Sequence, residues 1–136
     1  MKKFALALVA LLALSFTFMS CDAPADQVLE ADDVTADWFN GTWSGTQTTT
    51  TYDGDGAELT KVTITVTAEP AAVEGLKATI KLDGTEIMAF GTGMKISSVV
   101  KANKKRTKLY METITENYFN DKLVDKTVIV SEVEKD

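Results

Sequence analysis

From Gly41 onward, apolar and polar residues alternate with a period of two, which is typical of β-strands with one buried face. The clearest run carries Val62, Ile64 and Val66 on one side and threonines on the other. The pattern predicts about seven strands and no amphipathic helix. The predicted strands are residues 42–52, 62–67, 77–82, 86–90, 94–101, 106–117 and 123–133.

Short turn sequences separate these strands. Asp-Gly steps within 53–56 and at 83–84 favour the positive φ angles of tight turns. Strands that follow one another through short turns form an antiparallel meander, and a meander with one apolar face curls to bury that face. The sequence therefore predicts an all-β fold, an up-and-down barrel of about seven or eight strands, with a two-sheet β-sandwich as the alternative.

The first 21 residues have the three parts of a signal peptide. Lys2 and Lys3 form a basic start, an apolar run extends from Phe4 to Phe18, and the small Ser20 precedes Cys21. The apolar run is roughly 15 residues long, shorter than the ~20 that a membrane-spanning helix needs. We therefore expect cleavage between Ser20 and Cys21.

This segment resembles the signal of bacterial lipoproteins, whose lipobox is commonly Leu-x-(Gly/Ala/Ser)-Cys. Phe18-Met19-Ser20-Cys21 occupies those positions, with Phe18 in place of the usual leucine. The resemblance implies that Cys21 carries a diacylglyceryl thioether and usually an N-acyl chain such as palmitate. Two or more acyl chains hold a protein on a membrane with very slow release. The alternative is an ordinary secretory signal with an incidental cysteine.

The signal divides the chain into three parts: a signal peptide at 1–20, a lipidated and flexible acidic tether at 21–37, and a small antiparallel β domain at 38–136. The tether carries acidic residues and no basic one, so its charges repel each other and favour extended chain. In lipoproteins an Asp directly after the cysteine can retain the protein in the inner membrane, and Asp22 fits that rule. An acidic stretch can instead direct export to the surface. We expect the cell envelope, with the outer membrane or cell surface favoured over the inner membrane.

Composition excludes several kinds of chemistry. The chain has no histidine and one cysteine, so Ser-His-Asp catalysis, Cys-His catalysis, histidine metal sites and a disulfide framework are absent. Loss of Lys2 and Lys3 lowers the formal net charge from −6 to −8, which argues against nucleic acid as a partner. The residues of 53–58 do not follow calcium-loop spacing and predict a hairpin turn. We therefore expect no enzyme activity, catalytic residue, metal or cofactor.

The first strand opens with Trp38-Phe39-Asn40-Gly41-Thr42-Trp43. This motif resembles the start of the calycins, the lipocalins and fatty-acid-binding proteins. The resemblance implies a barrel whose closed end is plugged by Trp43, with an arginine of the last strand packed on that tryptophan. Here the chain has its arginine at Arg106, on the penultimate predicted strand, and the lipocalin Thr-Asp-Tyr motif is missing.

Two residue sets are candidates for a functional site. A barrel interior would be lined by apolar side chains, which are Trp43, Val62, Ile64, Val66, Ile80 and Phe90. A patch for anionic partners, or alternatively a solvated turn, is formed by Lys101, Lys104, Lys105, Arg106 and Lys108. The favoured function is a structural or interaction role against another envelope or host macromolecule. The alternative is a lipocalin-like carrier of a small apolar ligand.

Overall fold

The computed structural model of the protein describes residues 25–68 and 73–136. The predicted signal peptide, the cleavage site between Ser20 and Cys21 and the lipidation of Cys21 lie outside the described residues. The elements in chain order are β1 (Gln27–Val28), a 3-10 helix (Ala31–Asp33), α1 (Ala36–Phe39), β2 (Trp43–Asp53), β3 (Glu58–Ala68), α2 (Val73–Lys81), β4 (Thr85–Ala89), β5 (Thr92–Ala102), β6 (Lys108–Phe119) and β7 (Lys122–Lys135).

All seven described strands belong to one antiparallel sheet in the order β1-β5-β6-β7-β2-β3, and β4 also pairs with β5. The strand β2 pairs with β7 along its whole length, from Trp43 opposite Lys135 to Asp53 opposite Asp125. Within the described residues, β3 pairs with β2 alone and β4 with β5 alone, so the sheet is open between β3 and β4. The all-β prediction is confirmed, whereas closure into a barrel stays a prediction.

The strands of the second half of the sheet follow the sequence pattern closely. Leu109 and Met111 lie on one face of β6, while Tyr110 and Ile114 lie on the other, as the alternation predicts. The hairpin between β6 and β7 turns at Asn120 and Asp121, both of which have positive φ. Alternation and turn chemistry are local properties, which is why both could be read from the sequence.

The strand predicted at 77–82 is wrong, because this segment belongs to the helix α2. Val73, Leu76 and Ile80 are spaced for one face of a helix, and Leu76 is buried in the core. Ile80 belongs to both patterns: it is part of the alternation within 77–82, and it lies four residues after Leu76, as one face of a helix requires. The helix packs against β5 and the 3-10 helix, and that tertiary contact decides between the two periods.

The segment 25–37, predicted as part of a flexible tether, is folded against the sheet. β1 pairs with the end of β5, and the Leu29 N–H donates to the Val100 carbonyl at 2.7 Å. Leu29 and Val34 are buried, and these apolar side chains hold an otherwise acidic segment in place. The Glu30 N–H donates to the Asp33 carboxylate at 2.9 Å, which caps the 3-10 helix.

The core lies on one face and at one end of the sheet. At its centre Trp43 stacks on Phe39 with ring centroids 5.5 Å apart, and Trp38 meets Trp43 edge-on at 6.2 Å. The Trp43 indole N–H donates to the Phe39 carbonyl at 2.9 Å, so the buried ring leaves no polar atom unpaired. The other buried apolar residues of the cluster are Leu29, Val34, Leu76, Val100, Ala102, Leu109 and Val133.

Candidate functional site

The residues predicted to line a barrel interior are divided among three places. Trp43 is in the core, and Val66 and Ile80 pack against it. Val62 and Ile64 lie on the same face of β3 as Val66, yet they are 56% and 52% exposed. Phe90 is fully exposed, at 102%, in the turn between β4 and β5. The six side chains do not form one continuous lining.

A cavity of about 180 Å³, partly open to solvent, lies along β5 and is bordered by Asp83, Ser97, Ser98, Val99 and Glu112. It is smaller than the ~300–1,000 Å³ of typical ligand pockets and carries two carboxylates. The Asp83 carboxylate accepts a hydrogen bond from the Ser98 backbone N–H at 3.2 Å. The cavity is therefore better described as a gap beside the edge of β5 than as a binding site for an apolar ligand.

The basic residues predicted to form a patch lie on or beside the β5–β6 hairpin, where Lys104 and Lys105 are exposed. Arg106 has a structural contact, because its guanidinium lies 4.8 Å from the Trp38 ring centroid and donates to the Asp33 carbonyl at 2.9 Å. Lys101 extends over the Tyr110 ring at 5.7 Å. Lys108 begins β6 and is half-buried. These residues therefore lie near one hairpin, but Arg106 is bound to the domain itself rather than exposed for a partner.

Asn103 holds the turn of this hairpin and is fully buried. Its side-chain oxygen accepts the backbone N–H groups of Thr107 at 2.8 Å and Lys108 at 3.1 Å, and its amide donates to the Thr107 hydroxyl at 2.8 Å. These hydrogen bonds pair the polar groups of the turn with each other. They also hold the turn in a conformation in which Arg106 has a φ of +55°. Lys104 and Lys105 are therefore exposed on a turn whose backbone is held by hydrogen bonds to Asn103.

The face of the sheet opposite the core carries the three tyrosines of the chain. A lysine ammonium lies over each ring, with Lys126 at 4.9 Å from Tyr52, Lys101 at 5.7 Å from Tyr110 and Lys95 at 5.2 Å from Tyr118. This tyrosine face was not predicted from the sequence. The signal was present in β6, where residues 110, 112, 116 and 118 are Tyr, Glu, Glu and Tyr on one side of the strand.

Two phenols of the tyrosine face are bound to carboxylates. The Tyr110 hydroxyl donates to Glu112 at 2.8 Å, and the Tyr118 hydroxyl donates to Glu116 at 3.1 Å. Desolvation, followed by the hydrogen bond to Glu112 and its negative charge, raises the pKa of Tyr110 to about 12. The same kinds of cause, with Glu116 as the partner, raise the pKa of Tyr118. Both phenols therefore stay neutral at physiological pH and act as hydrogen-bond donors.

The end of the sheet away from the core consists of three hairpin turns, at 54–57, 90–91 and 120–121, and we call it the turn end. The Asp121 N–H donates to the Gly91 carbonyl at 2.8 Å, which joins two of these turns. A side chain at Gly54 would overlap the Leu123 carbonyl oxygen, so the third turn lies against the start of β7. The three turns form one continuous surface.

Exposed apolar side chains are concentrated on the turn end. Phe90 occupies a turn position with φ of +54°, where Gly, Asn or Asp is usual, and it is fully exposed. Phe119, at the end of β6, is 60% exposed. Leu59 and Val124 are also more than half exposed. The same turns and the adjoining strand ends carry Lys122, opposite Phe119, and five carboxylates, which are Asp53, Asp55, Glu58, Asp121 and Asp125.

In comparisons with protein-family models, curated proteins and solved structures, no match to this chain was found. Among the described residues, no group of three or more His, Cys, Asp or Glu side chains is arranged to hold a metal ion. Nor does that part of the chain contain a helix that is long and apolar enough to cross a membrane. The exposed Phe90 and Phe119 make the turn end the candidate functional surface.

Proposed function

We propose that this protein is a lipid-anchored lipoprotein of the bacterial envelope whose β domain is an interaction module, and that the turn end contacts a partner macromolecule. The observation that carries the proposal is Phe90, a fully exposed aromatic residue in a left-handed turn position. Such a residue gains no burial in the isolated chain and strains its own backbone. A partner that covers the ring would supply the missing burial.

Charge defines the kind of partner that fits. The five carboxylates of the turn end outnumber the exposed Lys122, which lies opposite Phe119, so this end repels anionic lipid headgroups and nucleic acid phosphates. A protein surface with an apolar depression and basic neighbours complements this arrangement. The partner is accordingly a protein of the envelope or of a host, rather than a membrane surface.

The anchor is supported by the signal sequence, with cleavage before Cys21 and acylation of that residue. Replacement Cys21→Ser is expected to leave the precursor uncleaved and to abolish incorporation of labelled palmitate. Normal maturation of the variant would show that the anchor is absent. We propose that the anchored domain is exposed on the cell surface, so protease added to intact cells is expected to degrade it. Full protection would place the protein in the inner membrane or on the inner leaflet of the outer membrane.

We infer that the sheet is an up-and-down barrel opened between β3 and β4. Pairing of the first long strand with the last, β2 with β7, is the strand order of such a barrel and supports the inference. The open seam and the division of the predicted lining residues favour an interaction module over a carrier. Native mass spectrometry of residues 22–136 from the host is expected to show no small molecule bound to the protein, whether monomer or dimer, and a retained apolar molecule would favour the carrier.

The turn end is tested by site-specific photo-crosslinking in the host cell. A photoreactive phenylalanine at position 90 or 119 is expected to give a discrete adduct with one protein. The same group at Lys104, exposed on the hairpin at the opposite end, is the matched control and is expected to give no such adduct. Absence of an adduct at both 90 and 119, in cells that contain the full amount of protein, would contradict the proposal.

A further inference from the structure

The two edges of the sheet differ in how far the chain itself covers them. The edge of β5 is covered by the chain itself, since β4 pairs with its first half and β1 with its end. Between them, the Asp83 carboxylate accepts the Ser98 N–H, and Leu29 donates to the Val100 carbonyl. At the opposite edge, β3 pairs with β2 along one side, and no other strand of the described residues pairs with it.

The strand β3 has few of the features that usually protect a sheet edge. It is 11 residues long and contains no proline, and Glu58 and Lys61 are its charged residues. Its register with β2 runs without a break from Trp43 opposite Ala68 to Thr51 opposite Thr60, and a bulge at Leu59 follows, since Tyr52 lies opposite Glu58. In an antiparallel ladder every second N–H and C=O group of an edge strand points outward, ready to pair. A long, regular and weakly charged edge of this kind is a template for another strand.

Two exposed apolar side chains flank the midpoint of this edge. Val62 and Ile64 are each more than half exposed on the core face, and Thr63 between them points to the other face. Thr63 is also the central residue of the range Glu58–Ala68. A two-fold axis through Thr63 would therefore align the regular part of β3, residues 60–66, with the same residues of another β3.

We propose that β3 pairs in antiparallel fashion with β3 of a second copy of this chain, so that two sheets become one continuous sheet. In this register, Val62 of each copy lies opposite Ile64 of the other, which covers the exposed apolar pair twice. Lys61, the charged residue of the regular part of β3, lies opposite Thr65 in this register, so no like charges face each other. A second copy fits better than a different strand because the edge is complementary to itself.

The pairing does not depend on the turn end or on the lipid anchor, and it has a consequence for orientation. Antiparallel strands place the two N-terminal segments at opposite ends of the paired sheet, because β1 lies at the core end of each copy. Two anchors in one membrane therefore require the strands of the pair to lie along the membrane surface. The turn ends then point sideways, parallel to the bilayer.

The test uses residues 22–136, which include every described element and contain no cysteine. Sedimentation velocity over a range of concentrations is expected to show a monomer–dimer equilibrium. Ile64→Lys is expected to weaken the dimer at least tenfold, because two lysines would replace the apolar contacts at the centre of the pair. The matched control is Ile87→Lys, an equally exposed apolar residue on the same face of the other edge strand β4, which is expected to leave the equilibrium unchanged.

A cysteine pair tests the register. Under mild oxidation Thr63→Cys is expected to link two chains, since residue 63 meets its own copy at the two-fold axis. Thr48→Cys, which lies opposite Thr63 one strand further inside the sheet, is the matched control and is expected not to link. A monomer at all concentrations, an unchanged dimer in Ile64→Lys, or equal linking of the two cysteine variants would overturn the proposal. A monomer whose β3 amides resist hydrogen exchange would assign the edge to β4 of the same chain.

Discussion

The Lys135 ammonium lies 5.9 Å from the centre of the Trp43 ring and donates a hydrogen bond to the Trp38 carbonyl at 2.9 Å. These two residues are also opposite each other in the sheet, since Trp43 begins β2 and Lys135 ends β7. The calycin resemblance implies an arginine of the last strand on this tryptophan. A lysine of the last strand occupies that place here, while the arginine of the chain, Arg106, packs on Trp38 instead.

The contact between Lys135 and Trp43 predicts a measurable coupling. Lys135→Met keeps the side-chain length and removes the charge, and it is expected to lower the free energy of unfolding by about 1 kcal/mol. Trp43→Phe removes the indole N–H that reaches the Phe39 carbonyl and is expected to lower it by about 1–3 kcal/mol. Urea denaturation of both variants and the double variant measures the coupling. Fully additive effects would show that the two side chains do not interact in solution.

Gly45 is expected to tolerate no side chain. A Cβ at this position would overlap the backbone oxygen of Glu132 on the neighbouring strand β7, and a backbone atom cannot move aside as a flexible side chain can. Gly45→Ala therefore has to separate β2 from β7 locally, and we expect a loss of more than about 2 kcal/mol of stability. Gly56→Ala is the comparison without overlap: open space surrounds its Cβ position, and its cost comes from the φ of +87°, which an alanine adopts only with strain. Thermal unfolding of the two variants makes the comparison.

The raised pKa of Tyr110 predicts that the protein loses stability at alkaline pH. Its pKa is about 12 in the folded protein and 10.0 in the reference state, so between these values the folded state keeps a proton that the unfolded state has lost. Stability is therefore present in full below about pH 10 and falls as the pH rises toward 12. Urea unfolding at several pH values measures this slope, which Tyr110→Phe should reduce.

Glu112→Gln tests the cause of that pKa. The substitution removes the negative charge that favours the neutral phenol, so the pKa of Tyr110 should fall toward its ordinary value. The fall should be partial because desolvation is the largest cause and is unchanged. Phenolate absorbance near 295 nm follows the titration, and Tyr110→Phe identifies the component due to this residue. An unchanged titration curve would contradict the contact with Glu112.

The left-handed conformation of Phe90 predicts that the backbone of this turn is strained. Asn adopts the left-handed conformation more easily than Phe, and the exposed ring of Phe90 contributes no burial. Phe90→Asn is therefore expected to raise the free energy of unfolding by up to about 1 kcal/mol. Phe119→Asn, in a strand rather than at a left-handed position, should not stabilise the protein. Destabilisation by Phe90→Asn would mean that the ring packs against the domain in solution.

The sequence predicted much of the sheet but little of the candidate site. Alternation along β2, β5, β6 and β7 located those strands to within a few residues, and Asp-Gly and Asn-Asp steps located the turns. Phe90 was predicted as part of an apolar lining, because its neighbours Ile87 and Ala89 are apolar as well. Its exposure depends on the turn at 90–91, where the ring leaves the sheet rather than continuing the alternation.

The sequence by itself determined most of the strands and turns, the absence of histidine chemistry and the prediction of an anchor at Cys21. The strands, turns and anchor signal depend on residues close together in the chain, and the absence of histidine is a matter of composition. Tertiary structure decided that 73–81 is a helix, that Leu29 and Val34 anchor an acidic segment, and that β2 joins β7. It also decided that β3 is an edge. These outcomes depend on which surfaces meet across long sequence separations, and the period of a single segment is the same whether its strand is central or at an edge.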